Sequence, residues 1–214
     1  MKQITLVTLA FFFTFLCSCK KDETTTPKET VLYQTSFSND DGKWQTGTIA
    51  NGSKAFYQNG QYWMEGSNGG VLYSMADNFF SGPTSKMTVE AIVKIDNLST
   101  IPENGIGGLV WSAQSDYYVF MVTFDGYWRL GEYNRSRGEW VYFNDWVRDN
   151  NILLNDYNKL RIEQAGGTTR FYINDVQVHS MDAVNRATLD KLGFFVSASS
   201  RVKAKFFKTV QQNG

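Results

Sequence analysis

The sequence predicts an all-β protein, a two-sheet antiparallel β-sandwich, and three observations carry that prediction. From Val31 onward, apolar residues recur mostly with period two, as on a half-buried strand. Two-residue turn signals, Asn59-Gly60, Asp125-Gly126, Gly166-Gly167 and Asn174-Asp175, fall between such runs. Gly and Asn adopt the positive φ of a type I′ hairpin at low cost. Apart from a turn near Met181–Leu189, no segment holds helical three-to-four spacing over ten residues.

Composition narrows the class further. The chain has 214 residues, with 21 basic and 21 acidic side chains, so its formal net charge is zero. It therefore has no basic field for nucleic acid and no acidic block for basic partners. Hydrophobic residues at 42% and aromatics at 15% exclude a disordered chain. The two Cys lie within the first nineteen residues, so the body has no disulfide, no Cys-ligated metal and no thiol nucleophile.

The chain opens with Met1-Lys2-Gln3 and an apolar run from Ile4 to Leu16. A membrane-spanning helix needs about twenty apolar residues, so this run fits a secretory signal instead. Leu16-Cys17-Ser18-Cys19 resembles a bacterial lipobox, with Ser18 as the small residue before the cut. That resemblance implies a signal peptide over residues 1–18 and acylation of Cys19. Lys20-Lys21-Asp22-Glu23 is similar to the acidic export tag of Bacteroidetes surface lipoproteins, which implies a lipid-anchored, surface-exposed place on the outer membrane. Residues 19–30 read as a polar, flexible tether carrying Thr24-Thr25-Thr26-Pro27.

The folded domain is expected over residues 31–212. Within it, Lys54–Gln58 and Gln61–Glu65 flank the first hairpin turn. In Lys86–Ile95, Met87, Val89, Ala91, Val93 and Ile95 share one face and Glu90 lies on the other. Tyr117–Phe124 is apolar on both faces. In Tyr127–Tyr133, Trp128 and Leu130 oppose Tyr127, Arg129 and Tyr133; in Gly138–Phe143, Trp140 and Tyr142 oppose Val141 and Phe143. Asn158–Ala165, Thr168–Ile173 and Val176–Ser180 make the later hairpins. Val202–Val210 sets Val202, Ala204, Phe206 and Val210 on one side, with Lys208 interrupting that row. About thirteen to fifteen strands result, packed as two sheets around one core.

Several segments together resemble the concanavalin A-like lectin/glucanase superfamily, and within it laminin-G-like and DUF1080-type (3-keto-disaccharide hydrolase-like) domains. They are Phe37 to Trp44, Gly107-Gly108-Leu109-Val110-Trp111, Tyr117-Tyr118-Val119-Phe120 and Asp125-Gly126-Tyr127-Trp128-Arg129-Leu130. Tyr157 to Ile162, Phe171 to Asp175, Gly193-Phe194-Phe195-Val196 and Val202–Val210 complete the set. The resemblance implies a jelly roll. The Glu-x-Asp-x-x-Glu strand of family-16-like glucanases is missing, and Ser112 stands where DUF1080-type relatives often have Arg.

The chemistry-bearing residues are few. Glycoside hydrolysis needs two carboxyl groups across a sugar, about 5 to 9.5 Å apart. Glu90 is the candidate acid or base because it lies mid-strand on a polar face; Glu132, Glu139 and Glu163 also fall on or beside strands. His179, the sole histidine, has no Gly-x-Ser-x-Gly elbow to serve and reads as a surface residue. No His- or Cys-based metal site exists, and no other cofactor is implied. The stretch Asn144 to Asn151 offers oxygen ligands suited to Ca²⁺, which laminin-G-like relatives often bind.

Aromatics are the more informative feature. A two-sheet sandwich turns one face of each strand outward, so some rings should line an outer, concave face. Flat rings receive the C–H faces of sugars while Arg and Asn hold the hydroxyl rim. Trp111, Trp128, Arg129, Trp140 and Trp146 are the candidates for that face. The expected function is a non-catalytic, surface-anchored glycan- or polysaccharide-binding lipoprotein, with membrane contact through its lipid alone. A glycosidase or 3-keto-glycoside hydrolase using Glu90, and a protein-binding adhesion module, are the alternatives.

Overall fold

The computed structural model describes residues 29–67, 72–75, 86–101, 105–113, 116–182, 189 and 191–212. The expected signal peptide, Cys19 and the tether up to residue 28 lie outside that set, as do residues 183–188 of the expected turn. Among the described residues, no helix is long and apolar enough to cross a membrane.

Among the described residues, sixteen strands form two antiparallel sheets. The first half of the chain supplies β1 (Glu29–Thr35), β2 (Gly47–Thr48), β3 (Lys54–Gln58), β4 (Gln61–Glu65), β5 (Leu72–Met75), β6 (Lys86–Asn97), β7 (Ile106–Ala113) and β8 (Asp116–Thr123). The second half adds β9 (Tyr127–Asn134), β10 (Glu139–Tyr142), β11 (Val147–Arg148), β12 (Asn158–Ala165), β13 (Thr168–Ile173), β14 (Val176–Asp182), β15 (Gly193–Val196) and β16 (Ser200–Gln212). The nine-stranded sheet runs β14-β13-β12-β6-β16-β4-β3-β2, with β1 also on β16. The seven-stranded sheet runs β10-β9-β8-β7-β15-β5, with β11 also on β9. The expected two-sheet sandwich is therefore the observed one, and each of the four turn signals joins a hairpin of adjacent strands.

β6 shows why the pattern works. Its five alternating apolar residues are buried between the sheets, and Lys86, Thr88, Glu90 and Lys94 face out. β8 is enclosed on both sides: Tyr118, Phe120 and Val122 join the main core, while Val119 and Met121 join a second apolar layer outside the sheet. β16 departs from the simple alternation. A bulge between Ala204 and Phe206 shifts its register, so the buried set is Ser200, Val202, Ala204, Phe207, Thr209 and Val210. The extra residue reverses the phase, which turns Phe206 and Lys208 away from the core.

The core is strongly aromatic. Phe37 and Trp44, from the segment after β1, stand edge-to-face at 5.3 Å. Trp44 lies 5.1 Å from both Phe194 and Phe207. Fully burying a ring of this size stabilises the fold by roughly 1.5–3 kcal/mol. Where β7 crosses β6 and β16, the sheets approach so closely that a Cβ on Gly107 would collide with Val202 and come within 2.9 Å of Ile95.

Candidate functional site

The seven-stranded sheet carries a layer of side chains on its outward face. Val110, Val119, Met121 and Phe195 are buried there, beneath Tyr73, Tyr117, Trp140 and Trp146. Registration builds this layer. Phe195 pairs with Tyr73 and with Gly108, Gly108 with Met121, and Met121 with Arg129, so one row crosses five strands. A second row joins Tyr117, Tyr133 and Trp140. Between them, Gly131 pairs with Tyr142, and a Cβ on Gly131 would stand 2.9 Å from that ring. Glycine here lets the Tyr142 ring settle against the strand.

The rings form contacting groups. Tyr73 and Tyr117 stack at 4.8 Å and 10°. Trp140 touches Tyr133 at 5.4 Å and meets Phe195 edge-on at 6.1 Å. Its plane is parallel to that of Tyr142, 6.0 Å away. Tyr142 is 43% exposed. Burial pushes the Tyr73 hydroxyl well above the ordinary phenol range, so it stays protonated at neutral pH.

Two arginines lie on these rings. The Arg129 guanidinium sits 3.3 Å from the Tyr142 centroid and 5.5 Å from that of Trp146. Its Nε donates to the Asn144 carbonyl at 3.0 Å, and the Asn144 side chain accepts from the Leu130 N–H, which fastens the loop before β11 over β9. Arg135, in the β9–β10 turn, lies 4.1 Å over Tyr117. Arg148 pairs with Tyr127 across β11 and β9, on the same face, and is exposed. Among the described residues, none of these three makes an ion pair. The described strand residues facing outward here include no Asp or Glu.

Three of the expected ligand-binding residues, Arg129, Trp140 and Trp146, thus meet on one face. Trp111 and Trp128 do not: they are 1% and 4% exposed, between the sheets. Their strand phase explains it, since Trp111 follows Leu109 and Trp128 precedes Leu130 on inward positions. Tyr73, Tyr117, Tyr133, Tyr142 and Arg135 complete the site and were not among the expected residues. Tyr117 and Tyr133 alternate in sequence with the buried Tyr118 and Glu132, and that phase is the signal that would have found them.

Glu90 lies on the opposite side of the molecule. It faces outward from the nine-stranded sheet, 4.0 Å from Lys159 and cross-strand from Arg161 and Lys208. Glu163 is ion-paired there with Arg161 and Arg170, Glu139 pairs with Arg137, and Glu132 is buried, 4% exposed, on the inward face of β9. His179 is not on the polar side of its strand. A register shift in β14 sets it opposite Phe171, half-buried 5.8 Å from the Trp128 ring, and burial lowers its pKa.

The stretch considered for Ca²⁺ uses its oxygens locally. Asn144 Oδ1 accepts from Leu130, and Asp149 Oδ1 accepts from both the backbone and side chain of Asn151. Among the described residues, no group of three or more His, Cys, Asp or Glu is placed to hold a metal ion.

No family model and no curated protein sequence matches this chain. Solved structures do match in fold. The catalytic domain of an endo-1,3-β-glucanase (laminarinase) from Thermotoga petrophila RKU-1 aligns with a TM-score of 0.57 at 10% identity, covering 88% of this chain and 100% of that one. An endo-β-1,3-glucanase from Pyrococcus furiosus aligns at 0.57 and 9% identity, over 88% and 97% of the two chains. A β-1,3-glucanase from Mycobacterium marinum gives 0.53 at 12% identity, over 84% and 98%. The fold is the concanavalin A-like jelly roll.

Proposed function

We propose that this protein is a carbohydrate-binding jelly roll whose ligand lies on the outward face of the seven-stranded sheet. The observation that carries this reading is the pair of parallel rings, Trp140 and Tyr142, set among Tyr133, Phe195 and Arg129. Neighbouring parallel rings on a strand offer flat apolar surface to the C–H faces of sugar units, while guanidinium and phenol groups meet the hydroxyls. The names of the fold neighbours, enzymes acting on 1,3-β-glucans, point the same way.

Binding is preferred over hydrolysis because of what the strands present. The rings lie on one sheet and Glu90 lies on the other, held among cations, so the two cannot act on one sugar. Delivery of the domain follows from the leader: Cys19 carries the lipid, and the following segment tethers the sandwich to the outer membrane at the cell surface. Several acyl chains together make such an anchor stable.

Affinity electrophoresis of the folded domain through gels holding soluble polysaccharides tests the reading. Retardation by at least one polymer is expected, with Trp140→Ala weakening it about tenfold or more, a loss of ~1.4 kcal/mol. Glu90→Gln should migrate as the parent does. An unretarded parent protein across a broad polysaccharide panel would overturn the carbohydrate reading in favour of a protein partner. Reducing-sugar release that disappears in Glu90→Gln would overturn the non-catalytic one. For the anchor, mass spectrometry of the mature chain should find an acylated N-terminal Cys19.

A further inference from the structure

The ring-bearing face differs in charge from the rest of the surface, and the difference identifies a ligand class. We infer that this face takes an acidic polysaccharide, one whose sugars carry a carboxylate, with Arg129 as the residue that receives it. The inference rests on the carbohydrate reading above and sharpens it.

On the outward face of the nine-stranded sheet, Arg201 lies 2.6 Å from Glu65, Lys203 2.6 Å from Asp96, and Lys159 2.6 Å from Asp175; Arg161 and Arg170 share Glu163. The chain as a whole is electrically balanced. Yet Arg129, Arg135 and Arg148 stand on a face whose described outward strand positions supply no acid. Those outward strand positions therefore present cations and no anion.

Geometry then selects among anions. Arg129 is held rather than waving: its Nε is tied to the Asn144 carbonyl, and its guanidinium rests on Tyr142 with Trp146 on its flank. The fixed Nε leaves the two terminal nitrogens as a free fork, the arrangement that grips a planar carboxylate with two parallel hydrogen bonds. A guanidinium at 3.3 Å from the ring centroid lies against the aromatic surface. A sugar stacked beside it on Trp140 would carry an equatorial C5 carboxylate near its own mean plane, edge-on to that fork. Arg135, lying over Tyr117 at 4.1 Å, offers a second cation along the ring array. Its own neighbour Asp116 accepts from its backbone N–H, leaving the guanidinium on the ring.

The experiment compares polymers that differ only in charge. Polygalacturonate, alginate and hyaluronan are each run beside a carboxyl-reduced counterpart, in which –COO⁻ has become –CH₂OH. At least one acidic polymer should retard the protein, and its reduced counterpart should bind about tenfold more weakly or not at all. Arg129→Gln should remove that preference, so that the acidic polymer and its reduced counterpart retard the variant equally. Arg135→Gln, in an exposed turn where folding is not at stake, should lower it to a smaller extent. Equal binding of acidic and reduced polymers would overturn this inference and leave the carbohydrate reading standing. Retention by dextran sulfate as strong as by the best uronate polymer would also overturn it, as unspecific attraction to polyanions. Binding to none of the polymers, charged or neutral, would defeat both readings.

Discussion

The two outward faces of the sandwich are built from the same alternation and end in opposite chemistry. On the nine-stranded sheet, long cations and carboxylates interlock: Asp96 alone receives Lys94, Arg201 and Lys203. Even Trp63 on that face lies under the Arg201 and Lys203 cations. On the seven-stranded sheet the outward positions include many rings, and three of these, Tyr117, Tyr142 and Trp146, lie against Arg135 or Arg129. Exposed ion pairs contribute only about 0–1 kcal/mol each, so the first face is a solubilising surface rather than a source of stability. The second holds a buried apolar layer under partly exposed rings.

The largest test of this contrast compares tryptophans that differ only in which way they point. Trp128→Ala removes a ring from between the sheets and should cost about 3–5 kcal/mol in urea unfolding. Trp140→Ala, on the outward layer, should cost less in stability and act mainly on glycan affinity. A Trp128→Ala protein as stable as its parent would show that the core has been placed on the wrong side of β9. Next in size is Gly107→Ala, where a Cβ would press on Val202 and Ile95; overpacking of this kind costs ~1–3 kcal/mol, read as a lowered urea midpoint.

His179 gives a smaller and pH-dependent effect. Burial against Trp128 and Phe171 lowers its pKa from the ordinary 6.5. Below 6.5 the unfolded chain therefore binds a proton that the folded one resists, and stability falls as pH drops from 6.5 toward the lowered folded value. Above 6.5 this contribution is flat. Melting temperatures followed across that window should show the fall in the parent and less of it in His179→Gln. The smallest change is expected from Glu90→Gln, within ~1 kcal/mol by urea unfolding, because its Lys159 contact is long and partly exposed.

Much of this architecture was legible in the chain. The hairpins at Asn59-Gly60 and Asp125-Gly126, the five buried residues of β6 and the doubly enclosed β8 all follow from period-two patterning and turn chemistry. Where the reading failed, an inserted residue was usually responsible. The bulge between Ala204 and Phe206 explains why Lys208 looked like an interruption, and the shift within β14 turned His179 toward the core. A bulge needs no special residue in such places, so alternation alone does not announce it. Trp111 and Trp128 are a different case. Their phase with Leu109 and Leu130 already assigned them inward, and choosing them as ligand contacts set chemical type above geometry. The cation pairing could not be read at all. Arg201 and Glu65 are neighbours only through the register of β16 with β4, across 136 positions of chain.

The place of β16 in the chain has a consequence during synthesis. β16 follows every other described strand, yet it joins β6 on one side to β4 and β1 on the other. A nascent chain lacking it has the largest sheet cut through the middle, with two long ribbons exposing unpaired backbone. Such a polypeptide is adhesive, and its sheet closes only when Ser200–Gln212 arrive. Ribosome stalling or premature stop codons upstream of Ser200 should therefore yield aggregates or proteolytic fragments rather than a smaller working domain.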